Sequence, residues 1–372
     1  MGSVNQFYTK PNMVIDINDS IYLASSDSVI TLEGMTFLRS GVLSEVSTYP
    51  LAEVLTAGDV WTQRALPVSA DWRSVAYGNG VFVAVAYISS IAATSTDGIT
   101  WTQRVLPVRA NWYSVTYGNG VFVAVANGST IAATSTDGIT WTQRVLPVST
   151  GWISVAYGNG MFVAVADGSG NNVAATSPDG ITWTGRTLPT VTDGWLAVCY
   201  GAGLFVANTQ SSNNANTDIY ATSPDGITWT KRGSGHWKWW NSLTFCNNKF
   251  IMCDWRGKGY GIISSDGINW TAITMPLSSI LSTYTSYNSV TYGNGLFVAF
   301  NNADGNGSSQ IAVSTDAITW ALKELPIYAV WSSVTFANGR FVAVAYNSSS
   351  FVYSVDTVGS TTYVPNLYFR VA

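Results

Sequence analysis

A motif that opens on tryptophan and contains two glycine turns recurs along this chain. The first copy begins Trp-Arg-Ser-Val-Ala-Tyr-Gly-Asn-Gly at Trp72 and ends Asp-Gly-Ile-Thr-Trp at Trp101. The copies start 40 to 47 residues apart, at Trp72, Trp112, Trp152, Trp195, Trp240, Tyr287 and Trp331. A period of this length is typical of proteins in which each repeat is one supersecondary unit. The chain must therefore bury its apolar residues by packing seven similar units against one another.

Each copy divides into four strand-sized segments. In the first copy, Asn79-Gly80 and Asp97-Gly98 separate the segments in pairs, and such dipeptides supply the positive φ angles that tight hairpins need. The residues between the turns alternate or run apolar, as β-strands do. These segments are 72–77, 81–86, 91–95 and 99–104. Four antiparallel strands per copy predict one blade of a β-propeller.

The two ends of the repeat array indicate how the ring closes. The seventh copy lacks the Gly-x-x-Trp ending after Asp356, whereas residues 59–64 read Asp-Val-Trp-Thr-Gln-Arg with no first half before them. We therefore expect residues 61–67 to complete the seventh blade. The sequence predicts an all-β fold: a seven-bladed β-propeller of four-stranded antiparallel blades over 59–356. A small β-rich N-terminal segment, 1–58, precedes it, and a C-terminal tail, 357–372, follows.

Composition excludes several classes of function. The formal net charge is −4, which argues against nucleic acid as a partner, because nucleic-acid binders concentrate Lys and Arg. The longest apolar runs, such as 81–86, are far shorter than the roughly 20 residues that cross a bilayer, so we expect no membrane insertion. Residues 1–16 lack a basic segment followed by an apolar stretch; we expect no signal peptide and synthesis in the host cytoplasm. Cys199, Cys246 and Cys253 are odd in number and fall in strand-like runs, which indicates reduced core residues.

Aspartate turns recur before the last strand of each copy. Six of them are followed by a Trp four residues on: Asp97, Asp137, Asp179, Asp225, Asp266 and Asp316. This pattern resembles the Asp-box of sialidase-like (BNR-like) propellers, except that glycine here follows the aspartate directly. The resemblance implies a structural turn, in which Asp bonds to local backbone and Trp packs between blades. It concerns the fold and implies no chemistry.

The flanking segments resemble another group of proteins. Residues 34–42, with their Leu-Arg-Ser-Gly, the pair Tyr49-Pro50, and the ending 364–372 are similar to segments of bacteriophage tail-fibre and adhesin proteins. The resemblance implies a virion component whose N-terminal segment binds other tail proteins. The alternative is that these segments are ordinary capping strands.

Candidate catalytic residues are few. Three of the four glutamates, Glu33, Glu45 and Glu53, precede the propeller, and His236 is the only histidine. A carboxylate pair for glycoside hydrolysis would have to come from aspartates that we place on loops: Asp71, Asp193, Asp254 and Asp304. Five arginines occupy one repeat position and are predicted to be structural: Arg64, Arg104, Arg144, Arg186 and Arg232. We predict no enzyme activity, no catalytic residue, no metal and no cofactor.

The strand order assigns the turns and the loops to opposite ends of the ring. The Asn-Gly and Asp-Gly turns lie at one end of the ring, which we call the turn end. The loops between second and third strands and the connections between blades lie at the other end, which we call the loop end. Most connections carry Leu-Pro, but the fourth reads Ser-Gly-His-Trp-Lys-Trp over 234–239. Trp and Arg dominate binding hot spots, and flat aromatic faces suit sugars. The predicted ligand-binding residues are His236, Trp237, Lys238, Trp239, Trp255 and Arg256; the alternative is that Trp237 or Trp239 fills the blade junction.

These features favour a receptor-binding protein of a phage tail fibre or tail tip, located in the virion. Its partner would be a bacterial surface receptor, either a polysaccharide or an outer-membrane protein. A lectin-like sugar-binding propeller and a sialidase-type glycan hydrolase are the alternatives. Loops that differ between units favour one tailored site over repeated pockets, which would give multivalent binding. The sequence leaves the receptor open, and also whether the protein forms a homo-oligomer.

Overall fold

The computed structural model describes residues 60–168, 170–209, 219–236, 239–254, 259–277, 285–302 and 306–354, and the backbone of five short strands before them. Contacts divide the chain into two units, one of 1–56 with 357–372 and one of 57–356. In the first unit, β1 (Val14–Ile15), β2 (Ser20–Tyr22) and β5 (Tyr49–Pro50) form one antiparallel sheet, and β3 (Val29–Leu32) pairs with β4 (Met35–Leu38). Within the described ranges, the chain has no helix with the length and apolar character needed to cross a membrane.

The second unit consists of strands that follow one another as antiparallel neighbours. They are β6 (Trp61–Gly78), β7 (Val81–Tyr87), β8 (Ser89–Ser95), β9 (Thr102–Gly118), β10 (Val121–Ser135), β11 (Thr142–Gly158), β12 (Met161–Asp167), β13 (Val173–Ser177), β14 (Thr184–Thr187), β15 (Trp195–Gly201), β16 (Leu204–Thr209), β17 (Ile219–Ser223), β18 (Thr230–Gly233), β19 (Trp240–Cys246), β20 (Lys249–Asp254), β21 (Tyr260–Ser264), β22 (Thr271–Thr274), β23 (Tyr287–Gly293), β24 (Leu296–Asn301), β25 (Ser308–Ser314), β26 (Ala321–Ala337), β27 (Arg340–Tyr346) and β28 (Ser348–Ser354).

These strands group into seven four-stranded blades, as the repeat count predicts. The first blade, for example, takes the second half of β6, then β7 and β8, and the first half of β9. β28 pairs with the start of β6, where Val352 lies opposite Gln63 and Ser354 opposite Trp61. The first strand of each blade contacts that of the next, and the seventh contacts the first. The predicted fold class, a propeller of four-stranded antiparallel blades, is confirmed.

The turns have the geometry that their residues favour. Asn79 and Gly80 have φ angles of 47° and 78°, both in the left-handed region that Asn and Gly tolerate. In the aspartate turn of the second blade, the Asp137 carboxylate accepts 2.8 Å hydrogen bonds from the amides of Ile139 and Thr140. The Thr140 amide holds the pKa of that carboxyl below its ordinary value, because it stabilises the charged form. The aspartates therefore act as structural turn residues.

Neighbouring blades pack closely. Trp152, which is fully buried, lies with Leu146 against Val123 and Val125 of the preceding blade. Near the turn end, a Cβ added at Gly78 would lie 2.0 Å from the Tyr117 ring, so the next blade's aromatic ring occupies that space. The three cysteines are free, and burial raises the pKa of the Cys253 thiol to about 12, as expected of a reduced core residue.

The connections between blades are of two kinds. Four are continuous strands that cross from one blade to the next: β6, β9, β11 and β26. The connections into the fourth, fifth and sixth blades instead lie between two separate strands: β14 and β15, β18 and β19, and β22 and β23. The propeller therefore has a regular part, blades 1, 2, 3 and 7, and an irregular part, blades 4, 5 and 6.

Candidate functional site

The turn end is occupied by structural hydrogen bonds. The side-chain amide of Asn79 donates to the carbonyl of Thr136 in the next blade at 3.2 Å, and Asn338 bonds Thr96 in the same way at 3.0 Å. Asn119 and Asn159 repeat this contact with Pro178 and Pro224. Because these polar side chains link blades to one another, the turn end is similar from blade to blade.

The loop end is formed by second-to-third-strand loops that lie beside the connections. Ser129 in the second blade pairs with Thr150 of the following connection, and Ser348 pairs with Ala70 in the seventh. The two predicted groups of turns and loops therefore lie at opposite ends of the antiparallel blades. Variation among the repeats is concentrated at the loop end, where a ligand can be bound without disturbing the strands.

Two of the six predicted ligand-binding residues lie within the described structure. His236 is partly buried, and Ser234 Oγ accepts from its amide at 3.2 Å and donates to its carbonyl at 3.3 Å. The amide of Trp239, also partly buried, donates to Asp254 Oδ1 at 3.2 Å. This contact places Trp239 beside the end of β20. The other four, Trp237, Lys238, Trp255 and Arg256, lie outside the described residues, so the site as a whole stays a prediction.

The unusual fourth connection has lost a core residue. The leucines Leu106, Leu146 and Leu188 are at most 2% exposed in the corresponding connections. Ser234 stands at that position in the fourth connection and is partly buried. The hydrogen bonds of Ser234 to His236 replace apolar packing with a polar turn, which places His236 at the loop end.

The expectation that four aspartates lie on loops is wrong for two of them. Asp71 lies in β6 opposite Tyr87, and Asp254 is the last residue of β20 and is buried. Asp254 accepts a backbone hydrogen bond, so its carboxylate has a structural partner. Asp193 is buried in the third connection, and Asp304 lies outside the described residues. No group of three or more His, Cys, Asp or Glu side chains in the described ranges is placed to hold a metal ion.

A cluster at the loop end was missed from the sequence. The guanidinium carbon of Arg73 lies 4.6 Å from the ring centroid of Tyr346, 4.9 Å from that of Tyr87 and 5.1 Å from that of Tyr113. These side chains come from the seventh, first and second blades. Arg73 follows the first tryptophan of its blade, at a β-bulge between Trp72 and Ser74. The one available signal is that Arg73 is the only charged residue at this repeat position.

The chain resembles known proteins in fold alone. No protein-family model and no curated protein matches the sequence. Virginiamycin B lyase from Staphylococcus aureus superposes with a TM-score of 0.67 at 10% identity, covering 80% of this chain and 99% of that one. YCF48 bound to D1 peptide gives 0.62 at 16% identity, covering 81% and 99%. The WD40 β-propeller domain of Doa1 gives 0.57 at 12% identity, covering 79% and 97%.

These structures place the chain in the β-propeller class. One neighbour is named as a lyase and another is bound to a peptide, so the same architecture serves catalysis and binding. The fold therefore does not decide between an enzyme and a binding protein, and the function must be argued from the residues.

Proposed function

We propose that this protein is the receptor-binding component of a bacteriophage tail fibre or tail tip and that its loop end contacts the bacterial surface. One observation carries the proposal. The chain enters and leaves the propeller side by side, at the pair Trp61 and Ser354. Ser354 ends the third strand of its blade, so this pair lies at the turn end. The variable loops therefore lie at the end of the ring opposite the pair at which the chain enters and leaves it.

The carboxylate side chains of the described residues favour a binding function over a catalytic one. Glu324 is the only glutamate among the described side chains, and it accepts a 2.6 Å hydrogen bond from Gln310 Nε2. Asp254 bonds to backbone and the repeated aspartates to their own turns. Each of these carboxylates is thus engaged in a structural hydrogen bond, whereas glycoside hydrolysis uses a pair of carboxyl groups that face the substrate. A loop surface that recognises a polysaccharide or an outer-membrane protein is the function these groups support.

The partner within the virion is assigned to the N-terminal segment, 1–58. Its resemblance to tail-fibre proteins, over 34–42 and at Tyr49-Pro50, supports attachment to other tail proteins. In this arrangement the N-terminal segment holds the propeller, and the propeller contacts the host.

The test is attachment of the fluorescently labelled full-length protein to a panel of bacterial strains. Strains that bind are then treated either with enzymes that remove surface polysaccharide or with protease that removes exposed outer-membrane proteins. We expect saturable binding that one treatment abolishes and the other leaves unchanged, which also identifies the receptor class. Binding to no strain of a broad panel, or turnover of a glycan by the protein, would contradict the proposal.

A further inference from the structure

The bulge that presents Arg73 recurs in every blade, and in the sixth and seventh blades the residue at this position links two blades. In the sixth blade, Asn288 Nδ2 donates to the carbonyl of Trp331 at 2.5 Å. In the seventh, Ser332 Oγ donates to the carbonyl of Trp72 at 2.6 Å. Both bonds link a blade to the next one. Arg73 makes no such bond, so the structural role of the bulge does not account for an arginine there.

Among the residues that the structure describes, the polar ends of the Arg73 cluster have no hydrogen-bond partner. Within the described chain, the guanidinium of Arg73 forms no hydrogen bond or ion pair, and its Nε is buried. The hydroxyls of Tyr87, Tyr113 and Tyr346 are also without a hydrogen-bond partner in these ranges. By contrast, two tyrosines elsewhere bond to protein at 2.8 and 2.9 Å, Tyr77 and Tyr220. Because all four side chains of the cluster are partly buried and partly exposed, a bound ligand can reach them.

A strained residue borders the cluster. Ile88, next to Tyr87, has a φ of 49° and is 46% exposed. The same turn position holds Gly128 in the second blade and Asn347 in the seventh, residue types that accept this conformation. A β-branched residue with positive φ is an outlier, and such outliers collect at ligand sites. Ile88 therefore exposes an apolar side chain beside the cluster at a conformational cost.

We propose that the cluster of Arg73, Tyr87, Tyr113 and Tyr346 binds a carboxylate-bearing sugar, such as a uronic or sialic acid unit of a surface polysaccharide. The planar guanidinium matches a carboxylate, which would accept two parallel N–H hydrogen bonds. The tyrosine hydroxyls both donate and accept hydrogen bonds, as sugar hydroxyls do. The side chain of Ile88 would pack against the apolar face of the sugar ring. The proposal names the ligand class for the loop end and rests on the proposed function in that respect.

The chemistry favours a sugar over an acidic peptide. Three tyrosine hydroxyls lie around the guanidinium of Arg73, and Arg109 Nε donates to the carbonyl of Ile88 at the edge of the cluster at 3.0 Å. A sugar acid likewise carries several hydroxyls for each carboxylate. An acidic peptide carries its carboxylates on aliphatic side chains and would leave the three tyrosine hydroxyls without matching hydroxyl groups.

The test is isothermal titration calorimetry of the full-length protein with oligomers of galacturonic acid and of sialic acid. Each is compared with its carboxyl-reduced, neutral counterpart and with a glutamate-rich peptide. Arg73→Gln is the central variant. Arg340→Gln is the matched control, because Arg340 at the start of β27 also has a buried, unpartnered Nε and lies 5.6 Å from the Tyr353 ring. Thermal melting establishes that each variant is folded.

We expect at least one acidic oligosaccharide to bind and its neutral counterpart not to bind. Arg73→Gln should weaken that binding by about tenfold or more, while Arg340→Gln leaves it unchanged. If Arg73→Gln does not fold, Arg73→Lys, which keeps the charge and loses the planar fork, should weaken binding as well. In ¹H–¹⁵N spectra of arginine side chains, the Arg73 Nε signal should shift on titration and the Arg340 signal should not.

Three results would overturn the assignment: equal binding of acidic and neutral oligosaccharides, equal binding by Arg73→Gln and the parent, or binding of the acidic peptide alone. The two proposals can fail separately. If Arg73→Gln attaches to cells as the parent does and no acidic sugar binds, the sugar site is wrong while receptor binding stands. If acidic sugars bind through Arg73 but no strain binds the protein, the proposed function is wrong while the sugar site stands.

Discussion

The regular and irregular parts of the ring differ at one buried position. Opposite the first aromatic residue of the blade, the four regular blades place alanine: Ala86, Ala126, Ala166 and Ala345. The three irregular blades place a polar residue there: Thr209, Asp254 and Asn301. All seven are buried. The polar residues coincide with the blades whose incoming connection is not a strand.

The coincidence has a physical reason. In a regular blade, the connection pairs with the second strand just before the blade begins, as Asp71 does with Tyr87, and its backbone groups are satisfied there. In the fifth and sixth blades, a side chain provides the acceptor instead: Asp254 accepts from the Trp239 amide, and Asn301 accepts from the Ser286 amide at 3.2 Å. In the fourth blade, Thr209 Oγ1 donates to the carbonyl of Ile219 in the same blade at 2.8 Å. A buried backbone N–H needs a partner of some kind. One buried polar side chain thus allows a connection to leave the sheet and vary.

The largest effect is expected where a continuous strand closes the ring. Removing residues 1–58 should leave a folded propeller, whereas removing 1–70 should not, because it deletes the outer strand of the seventh blade. The lost strand includes Trp61, 7% exposed and packed on Phe300, and Leu66, 4% exposed. Replacing one buried Trp by Ala already costs about 3–5 kcal/mol. Thermal melts and size-exclusion chromatography compare the two truncations, and equal stability would contradict a ring closed by residues 61–67.

The next effect concerns attachment through the irregular part. The double substitution Trp237→Ala with Trp255→Ala should abolish or strongly weaken attachment to host cells and leave the melting temperature of the ring unchanged. Asn79→Ala and Asn119→Ala, at the turn end of regular blades, are the controls for attachment. If the control variants lose attachment and the double variant keeps it, the binding face has been assigned to the wrong end.

A smaller effect tests the buried polar position itself. Asn301→Ala leaves the Ser286 amide buried without its acceptor and should lower the free energy of unfolding by about 1–3 kcal/mol. The reverse change in a regular blade, Ala345→Asn, should also lower the free energy of unfolding. It buries a side-chain amide at a position where the backbone groups already have their hydrogen-bond partners. Urea denaturation of both variants measures this. If the Asn301→Ala protein is as stable as the parent, the buried polar side chain does not support the connection into the sixth blade, and this difference between the regular and irregular parts has no effect on stability.

The smallest expected effect is an increase in the stability of the folded protein. Ala202 has a φ of 47° at the turn position where Asn79 and Asn159 stand in other blades. Ala202→Asn should stabilise the protein by about 1 kcal/mol, because Asn tolerates this conformation and can donate to the turn of the fifth blade. A rise in the urea midpoint is the expected result. No rise would show that the irregular blades do not use this inter-blade contact.

The repeat made most of the fold predictable. Turn residues such as Asn79 and Asp137 determine their local geometry through their own backbone and side-chain chemistry, so their structure can be derived from short segments. The Arg73 cluster could not be derived in this way, because Tyr346 meets Arg73 only through closure of the ring. The position of Asp254 within β20 could not be derived either, because the end of that strand is not marked by a turn residue. The residues predicted to bind ligand, Trp237 and Trp255 among them, remain a prediction.

The side-by-side ends of the ring also determine how the propeller would carry mechanical load. A force that pulls Trp61 away from the loop end runs along the first half of β6, which lies beside β28 over the pairs from Ser350 with Ala65 to Ser354 with Trp61. The backbone hydrogen bonds of this pairing are perpendicular to the strands. They would be sheared together and would not open one after another. A pull on the strand that enters the ring would therefore load the closing blade in the direction in which its hydrogen bonds resist best.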